Sequence, residues 1–355
     1  MENSLLIYGA YGYTGKLIAE HAVEQGLAPV LAGRDGEKVR ALAGRLGLEA
    51  RVFTLDNVEE VARQLAGMHC VIHAAGPFSA TARPVLEACL ATGVHYLDIT
   101  GEIAVFELAA RLDERARAAN VMLLPGTGFD VVPSDCLVAY TAGQVTNPVS
   151  VHLGIMGLGT ASRGTMKTMV ENADRPTAVR RNGRIVTRPP GSLYRFFDFG
   201  RGNRRTVAIG WGDVSTAYYS TGIPNITVYF PARGYSTLLR ASRLLGPLLR
   251  TAPAQALLKR LVEMQPPGPD EETLGKGRSF LVAQVEDATG ERAEARLETP
   301  NGYTLTYLAA VDIARRVLDG DWQPGFQTPS LAYGSEYVLS LPGCHLAGDG
   351  EPLPS

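Results

Sequence analysis

An apolar run, Leu5-Leu6-Ile7-Tyr8, leads without a break into Gly9-Ala10-Tyr11-Gly12-Tyr13-Thr14-Gly15, and a helix-like stretch over Lys16–Gln25 follows. This feature restricts the fold more than any other in the chain. A strand that turns into a helix through three glycines uses each for a different reason. Gly9 allows the sharp turn, Gly12 lets backbone approach a pyrophosphate, and Gly15 permits close helix–strand packing. The helix start then offers unpaired N–H groups to an anion. Gly9, Tyr11, Gly12, Tyr13, Thr14 and Gly15 are therefore candidate dinucleotide-binding residues. The spacing is GxxGxxG rather than GxGxxG, a variant met in NADP-linked proteins.

The surrounding pattern supports this reading. Short apolar runs at Leu5–Gly9, Pro29–Ala32, Ala50–Thr54, Cys70–Ala74, Tyr96–Ile99 and Val121–Leu124 alternate with amphipathic stretches at Glu37–Leu46, Val58–Leu65, Ala82–Ala91 and Val105–Ala119. Six strands with helical crossovers make a doubly wound parallel sheet. Beyond Pro148 the pattern changes to longer strands at Val149–Met156, Thr206–Gly212, Asn225–Phe230, Phe280–Asp287 and Arg292–Glu298, with helices over Gly164–Asn172, Ser236–Met264 and Thr304–Asp319. The expected fold class is α/β: a Rossmann domain over 1–140 and an α+β, mixed-sheet substrate or dimerisation domain over 141–300. A C-terminal segment, 301–345, and a mobile tail, 346–355, follow. A chain of 355 residues is long enough for two cores.

Composition excludes several classes. Hydrophobic residues at 45% and charged residues at 20% are those of a globular protein, and the net charge of −2 excludes a basic nucleic-acid coat. Residues 175–262 nevertheless hold fifteen Lys or Arg against Asp198 and Asp213, a net of +13 that leaves −15 elsewhere. Such a segment draws phosphates, acidic proteins or anionic surfaces if it gathers in space, and is a solvated loop if it does not. Tyr194, Phe196, Phe197 and Phe199 interleave with its arginines and are expected to close a pocket. The stretch Leu238–Leu249, edged by Arg240, Arg243 and Arg250, has an apolar side that suits a dimer or domain interface better than a membrane surface. Cys70, Cys89, Cys136 and Cys344 form no CxxC pair and read as reduced, buried thiols. His69, Cys70 and His73 cluster, but in an apolar run with no second ligand group, so no metal is expected. With only Met1–Ser4 before the first strand, no secretory leader is expected, and the location is cytoplasmic.

The end of the second strand identifies the cofactor form. An NAD-binding domain places an acid there for the ribose hydroxyl. Here the run is Leu31-Ala32-Gly33-Arg34. Gly33 leaves room, and Arg34 can pair with a 2′-phosphate, so NADP(H) is the expected cofactor. Asp35 opposes this unless it caps the next helix. Asp56 either accepts from the adenine amino group or caps the helix from Val58. Ala75, Gly76, Pro77 and Phe78 follow the fourth strand, where small residues let ribose and nicotinamide lie on backbone, with Phe78 alternatively a core residue.

Five ordered motifs, GAYGYTG at 9–15, LAGR at 31–34, HAAGPF at 73–78, YLDITGE at 96–102 and PGTGFDVVPSD at 125–135, together resemble the saccharopine dehydrogenase-like oxidoreductases, which include bacterial trans-acting enoyl reductases. The likeness resumes at Ser162-Arg163-Gly164-Thr165, a departure from the usual Ser/Gly-Gly-Thr, and at Gly325-Phe326-Gln327-Thr328-Pro329. The resemblance implies an NADP(H)-binding Rossmann domain, a middle domain closing over it, and a C-terminal segment packing back on the first domain. It also implies reduction of a C=C bond in a lipid-type chain or of a C=N bond in an amino-acid conjugate.

Hydride transfer needs a proton source beside the substrate. Tyr-x-x-x-Lys is absent, and His95 reads as structural. Glu102 and Asp130, in the loops after strands five and six, are the candidate catalytic acids, each alternatively a loop brace. Asp135 suits a helix dipole, and Gly126-Thr127-Gly128 leaves space for nicotinamide or substrate. The preferred reading is an NADPH-dependent enoyl reductase-like enzyme acting on an acyl or polyketide-like small molecule, tethered or not to coenzyme A or an acyl carrier. Imine reduction is the enzymatic alternative, and a non-catalytic NADPH sensor is the alternative of another class. A homodimer is expected, with no nucleic-acid partner.

Overall fold

A computed structural model describes residues 5–157, 176–200, 202–231, 251 and 268–347. The chain divides into two compact units, Met1–Val132 with Tyr303–Tyr337 and Pro133–Gly302 with Val338–Ser355. The helix expected over Gly164–Asn172, the motif at Ser162–Thr165, the amphipathic stretch within Ser236–Met264 and the tail beyond Ala347 lie outside the described residues. Among the described residues, no helix is long and apolar enough to cross a membrane.

The first unit begins β1 (Leu5–Tyr8), α1 (Tyr13–Glu24), β2 (Val30–Gly33), α2 (Gly36–Leu46), β3 (Ala50–Val52), α3 (Val58–Leu65), β4 (Cys70–His73), α4 (Phe78–Thr92) and β5 (His95–Asp98). It continues through α5 (Ile103–Arg111) and α6 (Asp113–Ala118) to β6 (Met122–Leu124), after which α7 (Val132–Ala142) begins the second unit. The strands pair in parallel in the order β6-β5-β4-β1-β2-β3, the doubly wound arrangement expected from the alternation. Its central strands are apolar on both faces because helices cover both. Leu6, Ile7, Val71 and Ile72 are completely buried, each contributing about 1.5–3 kcal/mol. The single helix expected over Val105–Ala119 is broken at Leu112. There the Asp113 carboxylate binds Arg117 through one oxygen and, through the other, the N–H of Phe326, 213 residues away.

The second unit carries β7 (Pro148–Met156), β8 (Thr177–Arg181), β9 (Arg184–Arg188), β10 (Tyr194–Asp198), β11 (Asn203–Ile209), α8 (Asp213–Thr221), β12 (Asn225–Pro231), α9 (Glu271–Lys276), β13 (Arg278–Asp287) and β14 (Arg292–Pro300). β7 and β12 are parallel and the other pairs antiparallel, so the sheet is mixed, as expected. The sequence reading missed β8, β9, β10, α8 and α9. The β8–β9 hairpin turns at Asn182-Gly183, both at positive φ (48° and 74°), the geometry that Asn-Gly favours. The aromatics of β10 do not act together. Phe197 and Phe199 are buried in a cluster with Tyr229, Phe280 and Val282, whereas Tyr194 and Phe196 are exposed. Nor do the described arginines of this segment share one role. Arg180 is buried against Tyr218 and donates to the Val214 carbonyl, while Arg184, Arg188 and Arg205 are exposed.

After β14 the chain forms α10 (Gly302–Leu318) and then β15 (Gly325–Phe326), which pairs with β6 and makes a seventh strand of the first sheet. Thr328 then caps α11 (Pro329–Tyr333) by accepting from the Leu331 N–H. The motif Gly325–Pro329 is thus a strand followed by a helix start. Leu346 lies in β16 (His345–Leu346), paired with β14 of the second sheet.

Candidate active site

The three glycines of the β1–α1 turn divide their tasks. Gly9, at φ 81°, lies so close to the β4 loop that a Cβ would stand 2.8 Å from that of Ala75. A Cβ on Gly15 would collide with the Gly9 carbonyl oxygen. On Gly12 it would meet only that carbonyl, at 3.2 Å, so protein packing leaves this glycine's side open to a ligand. Gly12 precedes α1 without a side-chain cap, and no acidic residue occupies the first turn. Tyr13 stacks edge-on against Tyr303 at 5.2 Å. Thr14 sits half-buried in the same turn. An uncapped helix start with an open glycine fits a pyrophosphate.

At the tip of β2, the room left by Gly33 is filled by protein. The Tyr11 ring lies there, and a Cβ on Gly33 would fall 2.6 Å from its Cε1. Arg34 is exposed. Asp35 is the cap of α2, accepting from the Lys38 N–H at 3.2 Å and from Lys38 Nζ at 2.8 Å. These bonds hold its carboxyl below the usual range, so the acid beside Arg34 is already matched by a lysine. Lys38, 5.7 Å from the Tyr11 ring centre, adds a second cation that the sequence reading overlooked. Its place one turn beyond Arg34 was the available signal. The pair fits a 2′-phosphate.

Asp56 does not cap α3. Asn57 does, accepting from the Glu60 N–H at 2.8 Å, and Asp56 stays exposed beyond β3. That removes the capping alternative and leaves its carboxylate available to an adenine amino group. Gly76 and Pro77 are exposed and Ala75 and Phe78 half-buried, with a cis bond between Gly76 and Pro77. Phe78 packs edge-on against His73 at 5.3 Å.

Both oxygens of Glu102 are occupied. They accept from the backbone N–H groups of Phe78 at 2.8 Å and Ser79 at 2.9 Å, the first residues of α4. Glu102 therefore ties the β5 loop to the β4 loop and caps a helix 24 residues upstream, the brace alternative rather than the proton donor. Its own N–H is held by Thr100 Oγ1 at 3.0 Å, and the Thr100 N–H by Asp98 at 2.9 Å. Asp98 is the centre of this network. Fully buried, it also accepts from Tyr96 Oη at 2.7 Å and from the Gly126 N–H at 2.8 Å. Burial raises its pKa to about 6 against the pull of those donors.

Asp130 is different. It is half-buried, and its Oδ2 lies where a Cβ on Gly101 would be, only 2.7 Å away. Desolvation pushes its pKa up to about 7, so near neutral pH it holds a proton about half the time. Gly101 follows β5 and Asp130 follows β6, both at the carboxyl ends of strands where ligands collect in open α/β sheets.

The space expected at Gly126-Thr127-Gly128 is corrected. Cβ atoms on Gly126 and Gly128 would strike Phe106 and Thr306, so these glycines admit protein side chains rather than nicotinamide. Thr306 Oγ1 accepts from the Phe129 N–H at 3.0 Å, steadying the same loop. His95 lies at the opposite, amino end of β5. It accepts from the Met122 N–H at 3.0 Å and packs 4.0 Å from Trp322, as a structural histidine does. Asp135, in the second unit, accepts from Ser220 Oγ. Among the described residues, no group of three or more His, Cys, Asp or Glu could hold a metal.

Residues 5–124 match the family described as "Saccharopine dehydrogenase NADP binding domain". They are such a domain. The resemblance read from the five motifs is thereby borne out, as is NADP as the cofactor. A Mus musculus saccharopine dehydrogenase-like oxidoreductase is 27% identical over 183 residues, 45% of this chain and 42% of that protein, so the match spans less than half of it. A Mycobacterium tuberculosis protein named provisionally as a trans-acting enoyl reductase is 26% identical along an alignment of 393 residues, covering 94% of this chain and 87% of the relative. Saccharopine dehydrogenase (L-Glu forming) of Saccharomyces cerevisiae superposes with a TM-score of 0.64 at 13% identity, covering 97% and 99% of the two chains, and shares the fold.

Proposed function

We propose that the chain is an NADPH-dependent oxidoreductase that reduces an activated C=C bond in an acyl or polyketide-like small molecule, carried on coenzyme A or an acyl carrier. The observation that carries the chemistry is Asp130, a half-buried carboxyl with its pKa near 7 at the strand ends of the dinucleotide unit. The preference for C=C over C=N rests on the enoyl reductase name of the relative that aligns along almost the whole chain. Gly12 and the start of α1, in the turn shaped by Gly9 and Gly15, hold the pyrophosphate, Arg34 and Lys38 the 2′-phosphate, and Ala75–Phe78 the nicotinamide ribose.

When bound, NADPH would supply a hydride for the β-carbon of the conjugated bond. The resulting carbanion at the α-carbon, delocalised into the thioester carbonyl, takes the proton held on Asp130. Glu102 fixes the β4 and β5 loops so that backbone, rather than mobile side chains, lies against the cofactor. Asp130, half-buried, is recharged from solvent. The four cysteines, all buried and unpaired, suit a reducing cytoplasm. The test is NADPH oxidation at 340 nm with 2-enoyl thioesters and, in parallel, with imines formed from an amino acid and an aldehyde. Turnover with the enoyl series, reduced at least tenfold in Asp130→Asn with NADPH binding intact, is the expected result. Turnover with imines alone would assign the C=N reaction. Tight NADPH binding with turnover on neither would make the chain a sensor.

A further inference from the structure

The second sheet has a polar site of its own. The register sets Thr227 and Gln284 on either side of His152, and Glu294 beyond Gln284, so strand alternation puts all four on one face. On that face a cavity of about 260 Å³ is lined by His152, Arg195, Gln284, Glu286, Arg292 and Glu294. The lining carries Arg195 and Arg292 against Glu286 and Glu294, but both carboxylates have ion-pair partners other than Arg195. Glu286 is paired with Arg292 at 3.1 Å, and Glu294 with Arg296. Arg195 has no acidic partner among the described residues. Its Nε donates to Gln284 Oε1 at 2.7 Å, and Gln284 Nε2 in turn donates to Glu294 at 2.6 Å. The guanidinium is thus fixed by one nitrogen, while no described residue takes its two terminal nitrogens. Arg181, bound to the Ile226 carbonyl and Thr227 Oγ1, adds a second positive charge without a carboxylate.

His152 completes the arrangement. Its Nδ1 meets Tyr229 Oη at 3.2 Å. Burial, then Arg195 and Arg181, lower its pKa to about 4, so it stays neutral and does not add to the charge. With Tyr229 donating to Nδ1, the imidazole keeps its Nε2 proton as a donor. A half-buried guanidinium anchored through Nε, with its fork open, is the arrangement that binds a planar or tetrahedral oxyanion in two-point fashion.

We propose that this cavity is a binding site for a small oxyanion, a carboxylate or a phosphate, with Arg195 as its charge partner. A volume of about 260 Å³ lies below that of pockets for drug-sized ligands, so the ligand is a small acid or phosphate rather than a coenzyme. The site belongs to the second unit and does not depend on the reductase reading. An anion bound there acts on the second sheet, as an effector.

The test is calorimetric titration of the full chain with inorganic phosphate and, separately, with succinate, at constant ionic strength. Saturating NADP+ is present so that the dinucleotide site is filled. Saturable binding of at least one anion is expected, with a Kd of about 1 mM or tighter. Arg195→Gln should weaken it at least tenfold, and Arg184→Gln, an exposed arginine of the β9 strand, should not change it. Arg195→Lys retains the charge without the fork and should weaken binding less than Gln, a readout that remains if the Gln variant unfolds. Preference for phosphate or for succinate identifies the ligand class. Absence of saturable binding in the wild type, or equal loss in the Arg195 and Arg184 variants, overturns the proposal.

Discussion

Asp130→Asn keeps the shape of the side chain and removes its ionisation, so it separates what this carboxyl does for chemistry from what it costs the fold. The folded pKa is about 7 against an ordinary 3.8, raised by desolvation. At 1.36 kcal/mol per pH unit, that interval corresponds to about 4 kcal/mol for keeping the group ionised in the folded chain. Its half-open edge lets water screen the charge and reduces the figure to about 2 kcal/mol. The sign follows from linkage. Below pH 4 the carboxyl is neutral in both states. Between pH 4 and 7 the unfolded chain releases the proton while the folded chain keeps it, so wild-type stability falls as pH rises, and above 7 the loss is complete. The Asn variant escapes this loss. It should match wild type at pH 4 and exceed it at pH 8 by about 4–8 °C in Tm, at 2–4 °C per kcal/mol for a unit of this size. Thermal unfolding at both pH values, alongside NADPH oxidation, measures the two effects on one sample. A variant no more stable than wild type at pH 8, or equally stabilised at both pH values, would refute the burial argument and with it the proton-donor role.

Three further outcomes follow from the site. Arg34→Ala should weaken NADPH binding at least tenfold, about 1.4 kcal/mol, and leave NADH unchanged in a fluorescence titration; equal loss for both would remove the 2′-phosphate assignment. Glu102→Ala leaves the Phe78 and Ser79 N–H groups without their acceptor and should cost about 1.5–3 kcal/mol in urea unfolding, with Glu102→Gln losing less. Gly101→Ala places a methyl against the Asp130 carboxyl, so the upper pH limb of turnover should move while NADPH affinity does not. An unchanged pH profile would show that Asp130 does not set it.

What could be read from the sequence was local. The turn from β1 through Gly9, Gly12 and Gly15 into α1 is written in consecutive residues, and the apolar runs of a sheet buried on both faces announce themselves. What escaped depends on distant partners. Glu102 looked like an unassigned acid because the N–H groups that claim it lie 23 and 24 residues upstream. Gly33, Gly126 and Gly128 looked like space for a ligand, but Tyr11, Phe106 and Thr306 fill it. β15 has two residues, too few to carry any periodicity, and is recognisable only through the strand that it joins. The β8–β9 hairpin was the avoidable miss, since Asn182-Gly183 just before the β-branched run Ile185-Val186-Thr187 is a local signal.

The position of β15 also bears on how the chain can be made. About 200 residues separate Leu124 at the end of β6 from Gly325, yet the two strands are neighbours in one sheet. During synthesis the first six strands emerge and can pair long before their outermost partner exists. Until Phe326 has left the ribosome, β6 is a bare edge with unpaired N–H and C=O groups, open to pairing with another nascent chain. Closing so long a loop costs little more entropy than closing one half its length, about 0.6 kcal/mol per doubling. The penalty is therefore one of time rather than stability. Truncation before Gly325 should convert that temporary edge into a permanent one, giving a product that binds to itself.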